Sequence, residues 1–316
     1  MSTPLAWLST SLNAYLFVTH GSRDPRSQRA ALRLAEQFRD RLGQPPLVLD
    51  SYGQDCSSAT RSTGETRSTM LSRPVAVGTA ALECMPEPLH QQIIAFAQPV
   101  AQAGGKTVTI VPLFLLPGVH VMEDLPQQIS IAQQALAESQ TAVMLKMMPF
   151  LGSDPELLPL LQQQFDQALP PQTPAPSQSP LLSPIRILLA HGSRRPGGNT
   201  IVEQLAQALD AQIAYWSIAP SLEDCLNQSL HRNVSPETNS ENHLPSAAEP
   251  AVVNRPIVIL PYFLSEGGIT DAIAEQVRSW SHRPNRPQVQ LLSTLDTNPA
   301  LVDLILKQLK PECVHP

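Results

Sequence analysis

Short apolar runs alternate with longer amphipathic stretches along the chain. Residues 15–19 form a β-type run, and 27–42 carry Ala31, Leu34, Ala35, Phe38 and Leu42 at helical spacing. The same alternation continues with a strand over 74–82, a helix over 86–103 ending at Gly104-Gly105, and a buried strand over 107–113. A loop punctuated by Pro117 and Gly118 leads to a helix over 126–139, a strand over 142–147 and a helix over 155–169. Strands alternating with helices predict a parallel sheet covered on both faces, with its ligand site at the carboxyl ends of the strands. His20, Glu83 and His120 are each placed at such an end.

One stretch recurs. Leu16-Phe-Val-Thr-His20-Gly-Ser-Arg-Asp-Pro25 is followed 171 residues later by Leu188-Leu-Ala-His191-Gly-Ser-Arg-Arg-Pro196 in the shared pattern His-Gly-Ser-Arg-x-Pro. Further matches run in the same order. Ala81-Leu-Glu83 pairs with Ser221-Leu-Glu223, Val111-Pro-Leu-Phe-Leu115 with Leu260-Pro-Tyr-Phe-Leu264, and Leu151-Gly-Ser-Asp-Pro155 with Leu295-Asp-Thr-Asn-Pro299. The chain is therefore expected to be an internal duplication, with a first domain over 1–169, a Pro-rich linker over 170–184 and a degenerate repeat over 185–316. Aperiodic polar segments at 50–73 and 231–255 read as insertions without chemistry of their own.

A length of 316 residues suits two cores better than one. The net charge of −6 argues against nonspecific nucleic-acid binding, and the four cysteines have no Cys-x-x-Cys spacing that would indicate a zinc site or a cluster. The apolar run 12–18 is too short to span a bilayer and lacks the flanks of a secretory signal, so the expected compartment is the cytoplasm.

The two copies differ where chemistry would reside. The first has Pro117-Gly-Val-His120-Val-Met-Glu-Asp124, and the second has Glu266-Gly-Gly-Ile269-Thr-Asp271, with Ile269 where His120 stands. Two imidazoles and a carboxylate converging from strand ends suit a borderline divalent metal, and suit proton abstraction equally well. Glu83 reads either as a ligand or as a turn residue, because Glu223 matches it. Glu123 reads as a ligand, or with Asp124 as an acidic first turn of the next helix. His191 lacks a partner histidine and reads as inherited frame. His90, His231, His243, His282 and His315 read as solvated.

These motifs resemble the sirohydrochlorin chelatases of the CbiX/SirB type, in a long form with two fused copies. The resemblance rests on His20-Gly-Ser-Arg23, Ala81-Leu-Glu83, the stretch from Pro112 through His120 to Asp124, and Leu151-Gly-x-Asp-Pro155. It implies a chelatase-like α/β fold of two doubly wound domains, each with a four-stranded parallel sheet and flanking helices. It implies a lyase that inserts Co2+ or Fe2+ into sirohydrochlorin without ATP, in cobalamin or sirohaem biosynthesis, with the metal as substrate and no resident cofactor. His20 and His120 would hold the metal and accept pyrrole protons, with Glu83 and Glu123 as further ligands. Phe114, Leu115, Leu116, Pro117, Gly118 and Val119 would lie against the macrocycle. Arg23, with Arg26, Arg29 and the amino end of the first helix, would offset the substrate's carboxylates. The fused duplication implies a monomer with no nucleic-acid or membrane partner. The alternatives are a tetrapyrrole or metal carrier that does not turn over, and a phosphoesterase. The latter is weakened by Thr19, because such enzymes place arginine immediately before the histidine.

Overall fold

The computed structural model describes residues 12–43, 75–168, 183–231 and 255–309. The segment 50–73, most of the 170–184 linker and most of the 231–255 insertion lie outside them. Strands β1 (Asn13–Thr19), β2 (Val75–Ala81), β3 (Thr107–Pro112) and β4 (Met144–Met147) pair in the order β2-β1-β3-β4, all parallel. The second repeat does the same with β5 (Ile185–Ala190), β6 (Ala211–Tyr215), β7 (Ile257–Pro261) and β8 (Val289–Leu291), in the order β6-β5-β7-β8. Central strands covered on both faces must be apolar throughout. Accordingly Leu16, Phe17 and Val18 in β1, and Ile187, Leu188 and Leu189 in β5, are fully buried.

The first crossover shows how sequence becomes structure. Helix α1 (Pro25–Arg41) starts where the Asp24 carboxylate accepts the Arg26 N–H, with Pro25 pre-set for the first turn. Its apolar stripe buries Ala31, Leu34, Ala35 and Phe38, and the Phe38 ring meets Tyr15 and Phe17 edge-on at 5.0 and 5.1 Å. Helices α2 (Leu89–Gln102) and α3 (Leu125–Glu138) cover the sheet as the periodicity predicts. A single π-helical turn, His120–Asp124, precedes α3 where the sequence suggests only a loop. In the second repeat, α5 (Thr200–Ala208), α6 (Leu222–His231) and α7 (Gly268–Ser281) take the same places. Among the described residues, no helix is long and apolar enough to cross a membrane.

The last helix of each repeat departs from the expected partition. The compact units are Met1–Asp154 with Pro299–Pro316, and Pro155–Asn298. Helix α4 (Leu157–Gln167) follows the first sheet in sequence but packs in the second unit, where Arg186 of β5 binds Asp166 at 2.8 Å and stacks over Phe165. Helix α8 (Ala300–Leu309) packs in the first unit, where Asp303 pairs with Arg41 of α1. A boundary near 169 follows the repeat, whereas the packing follows this exchange of helices.

Helix α8 buries Leu301, Val302, Leu304 and Ile305. At about 1.5–3 kcal/mol per side chain, the four are worth about as much as the whole net stability of a domain. A chain cut within residues 170–182 is therefore expected to give halves that show no cooperative melting when expressed singly. Co-expression should restore one cooperative transition by circular dichroism.

Candidate metal centre

His20 directly follows β1, and Glu83 lies two residues beyond β2. The parallel ladder continues past both strand ends, because Leu82 N–H donates to Thr19 O at 3.0 Å and Glu83 N–H to His20 O at 2.9 Å. Two reactive side chains from different strands are thus held in adjacent positions by main-chain bonds alone. Their closeness requires Gly21, whose backbone is left-handed at φ 96°. A Cβ there would stand 2.0 Å from Glu83 O. Beyond Glu83, Cys84 is also left-handed at φ 63° and turns the chain away.

His120 arrives on the π-turn, closed by the Leu125 N–H donating to His120 O. Such turns rotate a side chain out of helical register and recur at functional sites. Here the turn brings the His120 ring perpendicular to that of His20, with centroids 4.5 Å apart. Ligand atoms of His20, Glu83 and His120 all lie within 4.8 Å of one another, the one such group of three or more ligating side chains among the described residues. Both histidine tautomers follow from their partners. His120 Nδ1 is 2.8 Å from Asp124 Oδ2, and His20 Nδ1 is 3.2 Å from Gly21 O. A carboxylate and a carbonyl only accept, so each Nδ1 carries the proton and each Nε2 keeps its lone pair for a metal. His20 and Glu83 are exposed and His120 is half-buried, so an ion here has positions open to a second reactant.

Three supports brace this group. The Gln92 side chain, 3% exposed, accepts from Ala81 N at 3.0 Å and donates to Ala81 O at 2.9 Å and Glu87 O at 2.8 Å. It fastens both ends of the 82–88 loop that carries Glu83. The Gly152 N–H donates to Phe114 O at 2.8 Å, and a Cβ on Gly152 would meet Leu115 O at 1.8 Å. The Leu151-Gly-Ser motif thus pins the 113–119 loop. Asp124 orients His120. Asp124 was legible as an i,i+4 partner of His120, but the bonds of Gln92 leave no signal in sequence.

Several expectations need correction. Glu223 is not the counterpart of Glu83. It sits in the first turn of α6 and pairs with Arg283 at 3.3 Å, while Ser217 takes the equivalent place, its N–H donating to His191 O at 2.9 Å. Asp124 does more than favour a helix start, as its bond to His120 shows. Arg26 is tied to Asp24 at 2.6 Å, and these bonds hold the Asp24 carboxyl down to about 2, so the pair contributes little net positive charge. His90 is half-buried rather than solvated, with its Nδ1 2.8 Å from Gln128 Oε1. Phe114 belongs to the core, whereas Leu115, Leu116, Pro117 and Gly118 are half-buried and Val119 is exposed. Met122, which sequence did not single out, is exposed beside them on the π-turn. Glu123 shares that turn but falls outside the three-residue group, and Arg23 is exposed.

The second repeat keeps the frame without the donors. His191 follows β5 and Gly192 is again left-handed at φ 83°, but Ser217 replaces the glutamate, and Ile269 packs against the core where His120 would project.

Comparison with known proteins agrees with this architecture. The family model described as CbiX matches residues 14–168 and again 186–312. Among solved structures, SirB from Bacillus subtilis with Fe3+ superposes with TM-score 0.61 at 17% identity, over 94% of each chain. SirB from Bacillus subtilis subspecies spizizenii in complex with cobalt gives 0.56 at 18% identity, over 94% of this chain and 93% of that one. CbiX, described as the terminal enzyme for biosynthesis of siroheme in denitrifying bacteria, gives 0.53 at 20% identity, over 94% and 97%. At these identities the superpositions establish the fold. No curated protein matches the sequence significantly.

Two variants test the supports. Asp124→Ala frees the His120 ring and is expected to weaken Co2+ binding about 10–100-fold in a spectroscopic titration, with the melting temperature nearly unchanged. Gln92→Leu strands three half-buried main-chain groups and should cost about 2 kcal/mol in urea denaturation.

Proposed function

The chain belongs to the CbiX family, and on that premise we propose that it is a sirohydrochlorin chelatase, inserting Co2+ or Fe2+ into the macrocycle without nucleotide hydrolysis. The observation that carries the reading is the open group of His20, Glu83 and His120 within 4.8 Å. Insertion must strip water from the ion, remove two pyrrole N–H protons and form four metal–nitrogen bonds. The protein ligands must therefore be few and displaceable. Two Nε2 lone pairs and one carboxylate oxygen bind the ion at an exposed edge, leaving its remaining positions to water and then to the ring nitrogens. As the ring nitrogens take the metal, the two imidazoles released from it each accept one of the two pyrrole protons at Nε2. The Asp124 carboxylate stabilises the imidazolium formed at His120, and the Gly21 carbonyl holds the His20 ring through the exchange.

The half-buried loop residues 115–118, with exposed Val119 and Met122, offer an apolar rim for one face of the ring. Exposed Arg23, three residues after His20, is the proposed partner of a substrate carboxylate. His20 and Glu83 are the best supported ligands after His120, and Glu123 is the weaker candidate because it lies outside the group. The reading includes a cytoplasmic enzyme acting as a monomer, since one chain already carries both repeats.

Mixing the purified protein with sirohydrochlorin and Co2+ under anaerobic conditions is expected to convert many equivalents of substrate, followed by its absorption spectrum. A shift that stops at one equivalent would indicate a carrier instead. His20→Ala and His120→Ala should each lower turnover at least about 100-fold, and His191→Ala should leave it within about twofold.

A further inference from the structure

Beside the metal centre lies a cavity of about 80 Å³, open on one side and bounded by the ends of β1 and β2 and the first turn of α1. Its polar lining consists of the hydroxyls of Thr19, Thr79, Ser22 and Ser27 and the Gln28 amide. Ala31, Ala80 and Met85 supply apolar wall. Thr19 and Thr79 are 7% and 8% exposed, and neither hydroxyl has a protein partner among the described residues. Their oxygens are not sealed off in the core, so each keeps its bonding capacity at the cavity surface. Ser22 Oγ accepts from Asp24 N at 3.0 Å, which leaves its own proton free to donate. Among the described residues no carboxylate or imidazole lines the cavity, so its neutral donors suit an acceptor group rather than a cation.

The second repeat provides an internal control. Strand register places Ala190 where Thr19 stands, and Ile213 where Thr79 stands. Tyr215 occupies the position of Ala81, is buried, and packs beside Gly192 while its hydroxyl donates to Glu203 at 3.0 Å. The repeat without metal ligands has therefore lost both hydroxyls and carries a tyrosine ring at that corner. The repeat with metal ligands keeps the space open and its donors unspent.

We infer that this cavity is a subsite for one carboxymethyl arm of the tetrapyrrole, which fixes the rotation of the ring over the metal. The inference rests on the chelatase reading. A cavity of 80 Å³ has room for several waters at about 30 Å³ each, and so for the four non-hydrogen atoms of an acetate arm. Gly21 and Cys84, which line it, adjoin His20 and Glu83 in the chain, so an arm seated there belongs to a ring whose centre faces those ligands. Hydrogen bonds to a charged acceptor are the strong class, which gives each threonine a measurable share of binding.

The test uses two porphyrins that differ only at these arms, titrated into the metal-free protein by fluorescence. Uroporphyrin III carries acetate and propionate arms, and coproporphyrin III has methyl groups in place of the acetates. Thr79→Val and Thr19→Val, which keep side-chain shape, are expected to raise the Kd for uroporphyrin about tenfold and to leave coproporphyrin unchanged. Thr79→Ser should retain wild-type affinity. Both valine variants should melt at nearly the wild-type temperature, because neither hydroxyl has a hydrogen bond to another described residue to lose. Equal losses for the two porphyrins, no loss for either, or failure of the wild-type protein to prefer uroporphyrin would each overturn the subsite. Normal cobalt insertion by the wild type alongside any of those results would leave the chelatase reading standing. Absence of insertion, with the acetate-dependent penalty intact, would sink the enzyme and keep the subsite.

Discussion

Everything in the metal centre depends on a pair of main-chain hydrogen bonds made after the strands have ended. Leu82 and Glu83 continue the ladder onto Thr19 and His20, so the spacing of an imidazole and a carboxylate is set by strand separation rather than by flexible side chains. Neighbouring strands lie about 4.8 Å apart, the same scale as the spread of the ligand atoms. Gly21 is the concession this arrangement demands, since any side chain there would collide with Glu83. His120 is then the only member that must be brought in from a distance, and the π-turn with Asp124 performs that placement.

A site organised in this way separates rigidity from exposure. The backbone beneath His20 and Glu83 is buried and bonded, and Gln92 ties off the loop behind them. The side chains themselves remain open to solvent. That combination suits a reaction in which an ion is handed on, because a deeply enclosed ligand set would hold it. The substrate's many carboxylates meet an acidic protein whose charged Arg26 is already engaged with Asp24. Recognition by neutral donors then becomes physically useful, because it adds specificity without depending on net charge.

Much of this was legible in the sequence, for definite reasons. Apolar runs bounded by Gly and Pro marked the strands, and the period of α1 marked its buried stripe. The contrast between His120 and Ile269 singled out the copy in which three ligating side chains meet. The failures have equally definite causes. Ser221-Leu-Glu223 imitates Ala81-Leu-Glu83 as a string, but equivalence is decided by strand register, which assigns Ser217. The burial of Phe114 was not legible, because an apolar residue at the start of an apolar loop carries no mark of whether it faces the core or the solvent. The destination of α4 and α8 could not be read at all, since an amphipathic helix records that it has a buried face and not which sheet receives it.

The exchange of terminal helices bears on how the duplication persists. At the places of Glu83 and His120 the second repeat has Ser217 and Ile269, so among the described residues the three-ligand group of the first repeat is not reproduced there. Yet the helix it contributes, α8, supplies Leu301, Val302, Leu304 and Ile305 to the unit that holds His20. Deleting the second repeat would unroof the unit that holds His20. A copy without the three-ligand group is thereby held in place as a scaffold, and a position such as Ile269 has only to pack.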